Sequence, residues 1–227
     1  MSRWIVVLAA LLTFSSAGAQ TLKVRHDHDP WGKCVGELSF SENGIVFSSE
    51  KEEHNWSWGW TDIQTVDRRS ESEFSILSYA DQKFLLGRDR PFDFTVLEGR
   101  GMDDTILGLI QSHLPRPVVD RLPEEVERVD YEVNVKHLHT FGGCEGVLRF
   151  GPDVVVYDTS HAKDARTWRM GSAIVGVWSV GKFDLELEVY EREGGDLLRT
   201  RRFRFQLKEP LDPDFYYHLR RKLVPVR

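Results

Sequence analysis

The chain repeats itself, and that constrains its fold more than any other feature. Gly32-x-Cys34-x-Gly36-x-Leu38-x-Phe40 recurs as Gly142-x-Cys144-x-Gly146-x-Leu148-x-Phe150, 110 residues later. The same spacing pairs Phe47 with Tyr157 and Trp58 with Trp168. Upstream, His26-x-His28 matches His137-x-His139 at a spacing of 111, so the second copy is one residue shorter there. Downstream, Phe92-x-Phe94 resembles Phe203-x-Phe205. Ordered matches at a fixed period mark a duplicated structural unit. The copies run from about residue 21 to 114 and from about 129 to 224. Pro115 to Arg128 carries three prolines and several charges, and reads as a linker. A length of 227 residues suits two small domains.

Each copy has the alternation of β-strands. Leu22, Val24, His26 and His28 share one parity, and so do Cys34, Gly36, Leu38 and Phe40. Asn43-Gly44 is a hairpin signal leading into Ile45-Val46-Phe47. Trp56, Trp58 and Trp60 alternate on a further strand. Glu73 to Tyr79 and Lys83 to Leu86 read as a hairpin, and Phe92 to Val96 as the last strand. In the second copy Phe183, Leu185, Leu187 and Val189 alternate, and Gly194-Gly195 turns the chain into Leu197 to Leu207. A helix closes each copy. Asp103 or Asp104 caps the first, whose Ile106, Ile110 and Leu114 recur every four residues. Asp212 caps the second, with Pro213 at its first position and an apolar stripe of Phe215, Leu219 and Leu223. The expected fold is therefore mainly β, with about seven strands and one C-terminal helix per domain.

That order resembles the pleckstrin-homology superfold, most closely its small GRAM-type and bacterial PH-like members. The residues carrying the resemblance are Gly36-x-Leu38-x-Phe40-x-x-x-Gly44-Ile45-x-Phe47, Trp58 and Asp62-Ile63. In the second copy they are Gly146-x-Leu148-x-Phe150, Tyr157, Trp168 and Ile174. The resemblance implies two tandem PH-like barrels, each bent and plugged at one end by its helix. It also implies binding of phosphoinositides or of partner peptides. Lipid-binding members use a basic first hairpin loop. Here that loop is Asp27-His28-Asp29-Pro30-Trp31-Gly32-Lys33 in one copy and Leu138 to Gly143 in the other. One is acidic and the other nearly uncharged, so phosphoinositide binding is disfavoured.

The N-terminus has the form of a secretory signal over residues 1–19. Arg3 supplies the positive charge, Trp4 to Phe14 the apolar stretch, and Ala17-Gly18-Ala19 the cleavage pattern. Cleavage after Ala19 would place the mature chain, which has no further segment able to span a bilayer, outside the cytoplasm, in the periplasm or secreted. The formal net charge of −6 argues against a nucleic-acid partner. Cys34 and Cys144 are the only cysteines, too few for a disulfide framework. An oxidising compartment would permit a bond between them if the two copies face each other at their rims.

No G-x-S-x-G, H-E-x-x-H or P-loop pattern occurs, so no cofactor and no catalytic residue is assigned. The expectation is a non-enzymatic binding or scaffold protein that recognises a protein or peptide. Trp31, Trp56 and Trp60 are the candidate contacts: Trp31 lies in the first loop, and Trp56 and Trp60 correspond to Arg166 and Met170, so the repeat does not hold them constant. The alternative is a metal-binding or metal-sensing protein. Strand parity gathers His26, His28 and Cys34 in one copy, and His137, His139 and Cys144 in the other. Imidazole nitrogen and thiolate sulfur suit zinc or copper. A fourth ligand is not evident; His54 and His161 are the nearest spare histidines, and they do not align. The competing explanation is structural: cysteine as a small core residue, and histidines bonded to backbone at a barrel mouth.

Overall fold

A computed structural model describes residues 19–28, 32–82, 89–191 and 200–223. The signal-like segment lies outside these residues, apart from Ala19. So do Trp31, the 83–86 arm of the first-copy hairpin, and the Gly194-Gly195 turn.

The first copy folds as seven strands and a helix. These are β1 (Gln20–Asp27), β2 (Lys33–Ser41), β3 (Gly44–Ser49), β4 (Trp56–Gly59), β5 (Ile63–Arg68), β6 (Glu73–Asp81), β7 (Asp89–Glu98) and α1 (Asp104–His113). A two-residue strand, β8 (Val119–Asp120), follows. The second copy comprises β9 (Tyr131–Leu138), β10 (Gly143–Phe150), β11 (Val154–Asp158), β12 (Arg166–Arg169), β13 (Ile174–Trp178), β14 (Asp184–Tyr190), β15 (Thr200–Leu207) and α2 (Pro213–Leu223). The described residues are thus mainly β, with two α-helices.

Strand order repeats as the sequence does. The first copy runs β5-β6-β7-β1-β2-β3-β4, and the second β13-β14-β15-β9-β10-β11-β12. Alternation buries one face of each strand. In β1 Leu22, Val24 and His26 are buried, and in β9 Val133, Val135 and His137 take the equivalent places. There are two apolar cores. One gathers Phe40, Phe47, Phe92 and Phe94 with Ile106 and Ile110 of α1; the other gathers Phe150, Phe203 and Phe205 with Leu219 of α2. Each fully buried side chain of this kind contributes about 1.5–3 kcal/mol. Each helix packs on its own copy. Asp103 caps α1 by accepting from the amides of Thr105 and Ile106, and Asp212 accepts from the amide of Asp214 at the start of α2.

The segment between the copies departs from the linker expectation. β8 pairs in parallel with β5 and antiparallel with β12, so all fifteen described strands form one hydrogen-bonded sheet instead of two. The reason is electrostatic as well as geometric. Asp120 on β8 takes a two-pronged hydrogen bond from buried Arg68 at 2.9 and 2.6 Å. Arg121 forks onto Asp67 at 2.8 and 2.6 Å, and Arg169 in the second copy reaches Glu124 at 2.6 Å. Pro115 to Arg128 is therefore stitched to both sides. No described helix is long and apolar enough to cross a membrane.

Candidate metal centre

The β1–β2 and β9–β10 hairpins set the site. Antiparallel register places His26 opposite Cys34 and His137 opposite Cys144, on one face of the sheet. The repeated glycine two residues after each cysteine has a steric cause. A Cβ on Gly146 would stand 2.4 Å from the Asp158 carbonyl and 2.6 Å from the Tyr157 ring; at Gly36 it would stand 2.3 Å from the Ser48 carbonyl and 2.8 Å from the Phe47 ring. Glycine lets the ring of β11 or β3 lie across the neighbouring strand, below the cysteine. In the second copy that ring is Tyr157, whose hydroxyl donates to the Cys144 carbonyl at 3.0 Å and lies 3.2 Å from its sulfur. Burial holds the Tyr157 hydroxyl far above its ordinary pKa, so it stays neutral.

Four donors converge in the second copy: His137, His139, Cys144 and Asp164. His139 Nε2 lies 3.3 Å from Cys144 Sγ and 3.6 Å from Asp164 Oδ2. His137 Nδ1 lies 3.9 Å from both Cys144 Sγ and Asp164 Oδ1, and Cys144 Sγ is 3.7 Å from Asp164 Oδ2. Donors bound at about 2.0–2.3 Å to one tetrahedral zinc stand about 3.3–3.8 Å apart. Burial, reinforced by His139, pulls the His137 pKa down to about 4, which keeps its ring neutral and its lone pair available. Burial also raises the Cys144 thiol.

In the first copy the converging donors are His28, Cys34 and His54, all within 4.8 Å of one another. His26 is not among them, which corrects the expectation from parity. Its Nδ1 is 3.0 Å from the Asp93 carbonyl on β7, and its ring packs edge-on against Phe47 and tilted against Phe92 and Phe94. His26 is thus satisfied by backbone, whereas its counterpart His137 faces the thiol and the carboxylate.

His54 and Asp164 occupy the same place in the two copies. They are 110 residues apart, the spacing of the cysteines. Each closes the same turn: His54 donates its amide to the Lys51 carbonyl at 2.9 Å, and Asp164 donates its amide to the His161 carbonyl at 2.8 Å. The sequence carried this signal, but it was hidden because the residue types differ. His161 contributes its backbone to that turn and is not one of the converging donors.

The tryptophans divide differently from expectation. Trp60 is buried and donates its indole N–H to the Glu42 carbonyl at 2.9 Å, so it is not a surface contact. Trp56 is half-buried, stacked beside Trp58, with the Arg90 guanidinium 4.2 Å above its ring. Exposed apolar side chains occur in both copies, among them Val35, Val46, Tyr79 and Leu97 in the first; in the second, Trp178, Val180 and Phe183 lie beside Arg202 and Arg204 around one groove. Cys34 and Cys144 are not bonded to each other.

No protein-family model matches the chain, and no curated protein sequence matches it. Among solved structures, a chain from the structure of the Spt16D Pob3N heterodimer is similar at 12% identity and a TM-score of 0.35. The match spans 86% of this chain and 99% of that one. A likeness of that size carries no weight for function.

Proposed function

We propose that this protein is a non-enzymatic metal-binding protein, exported and built on two PH-like halves, with a zinc-type centre in the second half. The observation that carries this reading is the convergence of His137, His139, Cys144 and Asp164, whose donor atoms lie within 4.8 Å of one another, with Cys144 Sγ and the two carboxylate oxygens of Asp164 at 3.3–3.9 Å from the imidazole nitrogens. Two imidazoles, a thiolate and a carboxylate suit a borderline-soft divalent ion in four-coordinate geometry.

The arrangement favours a metal over a nucleophilic thiol. In a catalytic triad the base offers one ring nitrogen to the nucleophile and the other to the carboxylate. Here the same nitrogen, His139 Nε2, faces both sulfur and carboxylate. A reactive thiol also needs a depressed pKa, and burial pushes Cys144 upward. The PH-like assignment draws support from the repeated strand order, each set of seven strands preceding one helix packed on its own core.

Metal analysis of purified, dialysed protein tests the reading. One equivalent of zinc is expected, lost in Cys144→Ser and in Asp164→Ala. Negligible zinc after exposure to excess ion followed by dialysis contradicts it. A protein or peptide partner is the second function supported, by the exposed Trp178, Val180 and Phe183 beside Arg202 and Arg204 at the β13 edge of the sheet.

A further inference from the structure

The first half holds a different donor set at the duplicated positions, and two of its nitrogens lack partners. Among the described residues, His28 Nε2 and His54 Nδ1 are buried atoms with no hydrogen bond. Their rings stand 4.4 Å apart, centre to centre, and Cys34 Sγ completes a group within 4.8 Å. A buried imidazole nitrogen left unpaired is costly unless something binds it. The opposite nitrogen of His54 lies 3.6 Å from the exposed Glu53 carboxylate, beyond hydrogen-bond distance.

Charge separates the two sets. With a divalent ion, the thiolate of Cys144 and the carboxylate of Asp164 give a neutral centre. Among the described residues the first half supplies one thiolate and no carboxylate to this group, so a monovalent ion is the one it neutralises. Two imidazoles and one thiolate, three donors without a fourth, suit soft monovalent copper better than zinc. We infer that His28, Cys34 and His54 form a three-donor site for Cu(I), so that the duplicated positions bind two different metals.

This inference uses the equivalence of the two halves but does not depend on zinc binding in the second. Purified metal-free protein is titrated anaerobically with Cu(I) against a competing Cu(I) chelator, and separately with Zn(II) against a zinc chelator. With both metals present, one copper and one zinc are expected. Cys34→Ser and His54→Ala should each weaken copper binding by more than about 100-fold and leave zinc unchanged, since loss of a ligand exceeds the effect of losing an outer contact. Asp164→Ala should do the reverse. X-ray absorption at the copper edge should show two nitrogens and one sulfur. His54→Asp provides a gain of function independent of any loss by misfolding: the first half should now prefer zinc. Copper binding indifferent to Cys34→Ser and His54→Ala overturns the inference. So does zinc occupancy of both halves in the wild-type protein with copper present. Loss of zinc alone, with copper retained, overturns the zinc centre and leaves this site standing.

Discussion

The two halves share a scaffold and differ in what they bury. At the position two residues before the shared tryptophan, the first half has Trp56 and the second has Arg166. Trp56 is half-buried, stacked against Trp58 and covered by Arg90. Arg166 is fully buried and forks onto Glu191, with Nε to Oε2 at 2.9 Å, and Arg201 also reaches that carboxylate at 3.1 Å. At the ring below the cysteine, Phe47 becomes Tyr157; at the fourth donor position, His54 becomes Asp164. The second half is therefore the more polar at its rim. Duplication kept the backbone and the apolar core, and divergence acted on the side chains that face the site.

This contrast is broken most strongly through the cores. Leu219→Ala and Ile110→Ala remove equivalent helix anchors, buried at 2% and 0% exposure, and each should cost about 2–5 kcal/mol in chemical denaturation. A value near zero for either would mean that its helix does not plug its half. Arg166→Met leaves Glu191 buried with only Arg201 beside it. It should cost about 3 kcal/mol, near the range for breaking a buried pair, whereas Trp56→Leu in the first half should cost less. Equal costs would show that the halves treat this position alike.

A comparable loss tests the seam between the halves. Asp120→Ala strands the buried Arg68 guanidinium and should cost about 3 kcal/mol. It should also split one unfolding transition into two, because β8 joins the copies through Asp120. A single unshifted transition would mean that the seam does not couple them.

The smallest expected effect is on pH. His137 is buried neutral with its pKa lowered to about 4, against 6.5 when unfolded. Between these values the unfolded chain binds more protons, so stability rises with pH through this window and is complete above about 6.5. Metal-free protein taken down to pH 4 should lose about 2–3 kcal/mol through this one ring. His137→Phe should flatten that slope. A pH slope unchanged by the substitution would place the sensitivity elsewhere.

Much of this fold was legible because alternation and repetition are consequences of strand geometry. Leu22, Val24, Leu38 and Phe40 are buried where parity placed them, and both helices start at the capping aspartates. The seam was not legible. Val119-Asp120 is too short to show a period, and its pairing depends on Arg68, far away in sequence. The site was half legible. Parity gathers His26 with Cys34, but it cannot tell whether a ring turns to a backbone carbonyl, as His26 does, or to a thiol, as His137 does. Asp164 escaped, and His54 was set beside His161 in place of it, because a repeat is recognised through identical residues, and here the position persisted while its chemistry changed. Trp60 misled for a related reason: variability between copies suggested a surface, yet its indole is buried and bonded to the Glu42 carbonyl.

The central claim is that a duplicated hairpin rim became a metal centre in the second half. X-ray absorption at the zinc edge of zinc-loaded protein tests it most directly. The account predicts a four-coordinate shell of two imidazole nitrogens, one carboxylate oxygen and one sulfur, with bonds of about 2.0–2.3 Å. In Cys144→Ser the sulfur should vanish, and in Cys34→Ser it should remain. A six-coordinate shell of light atoms without sulfur, or a sulfur contribution that survives Cys144→Ser, would contradict it.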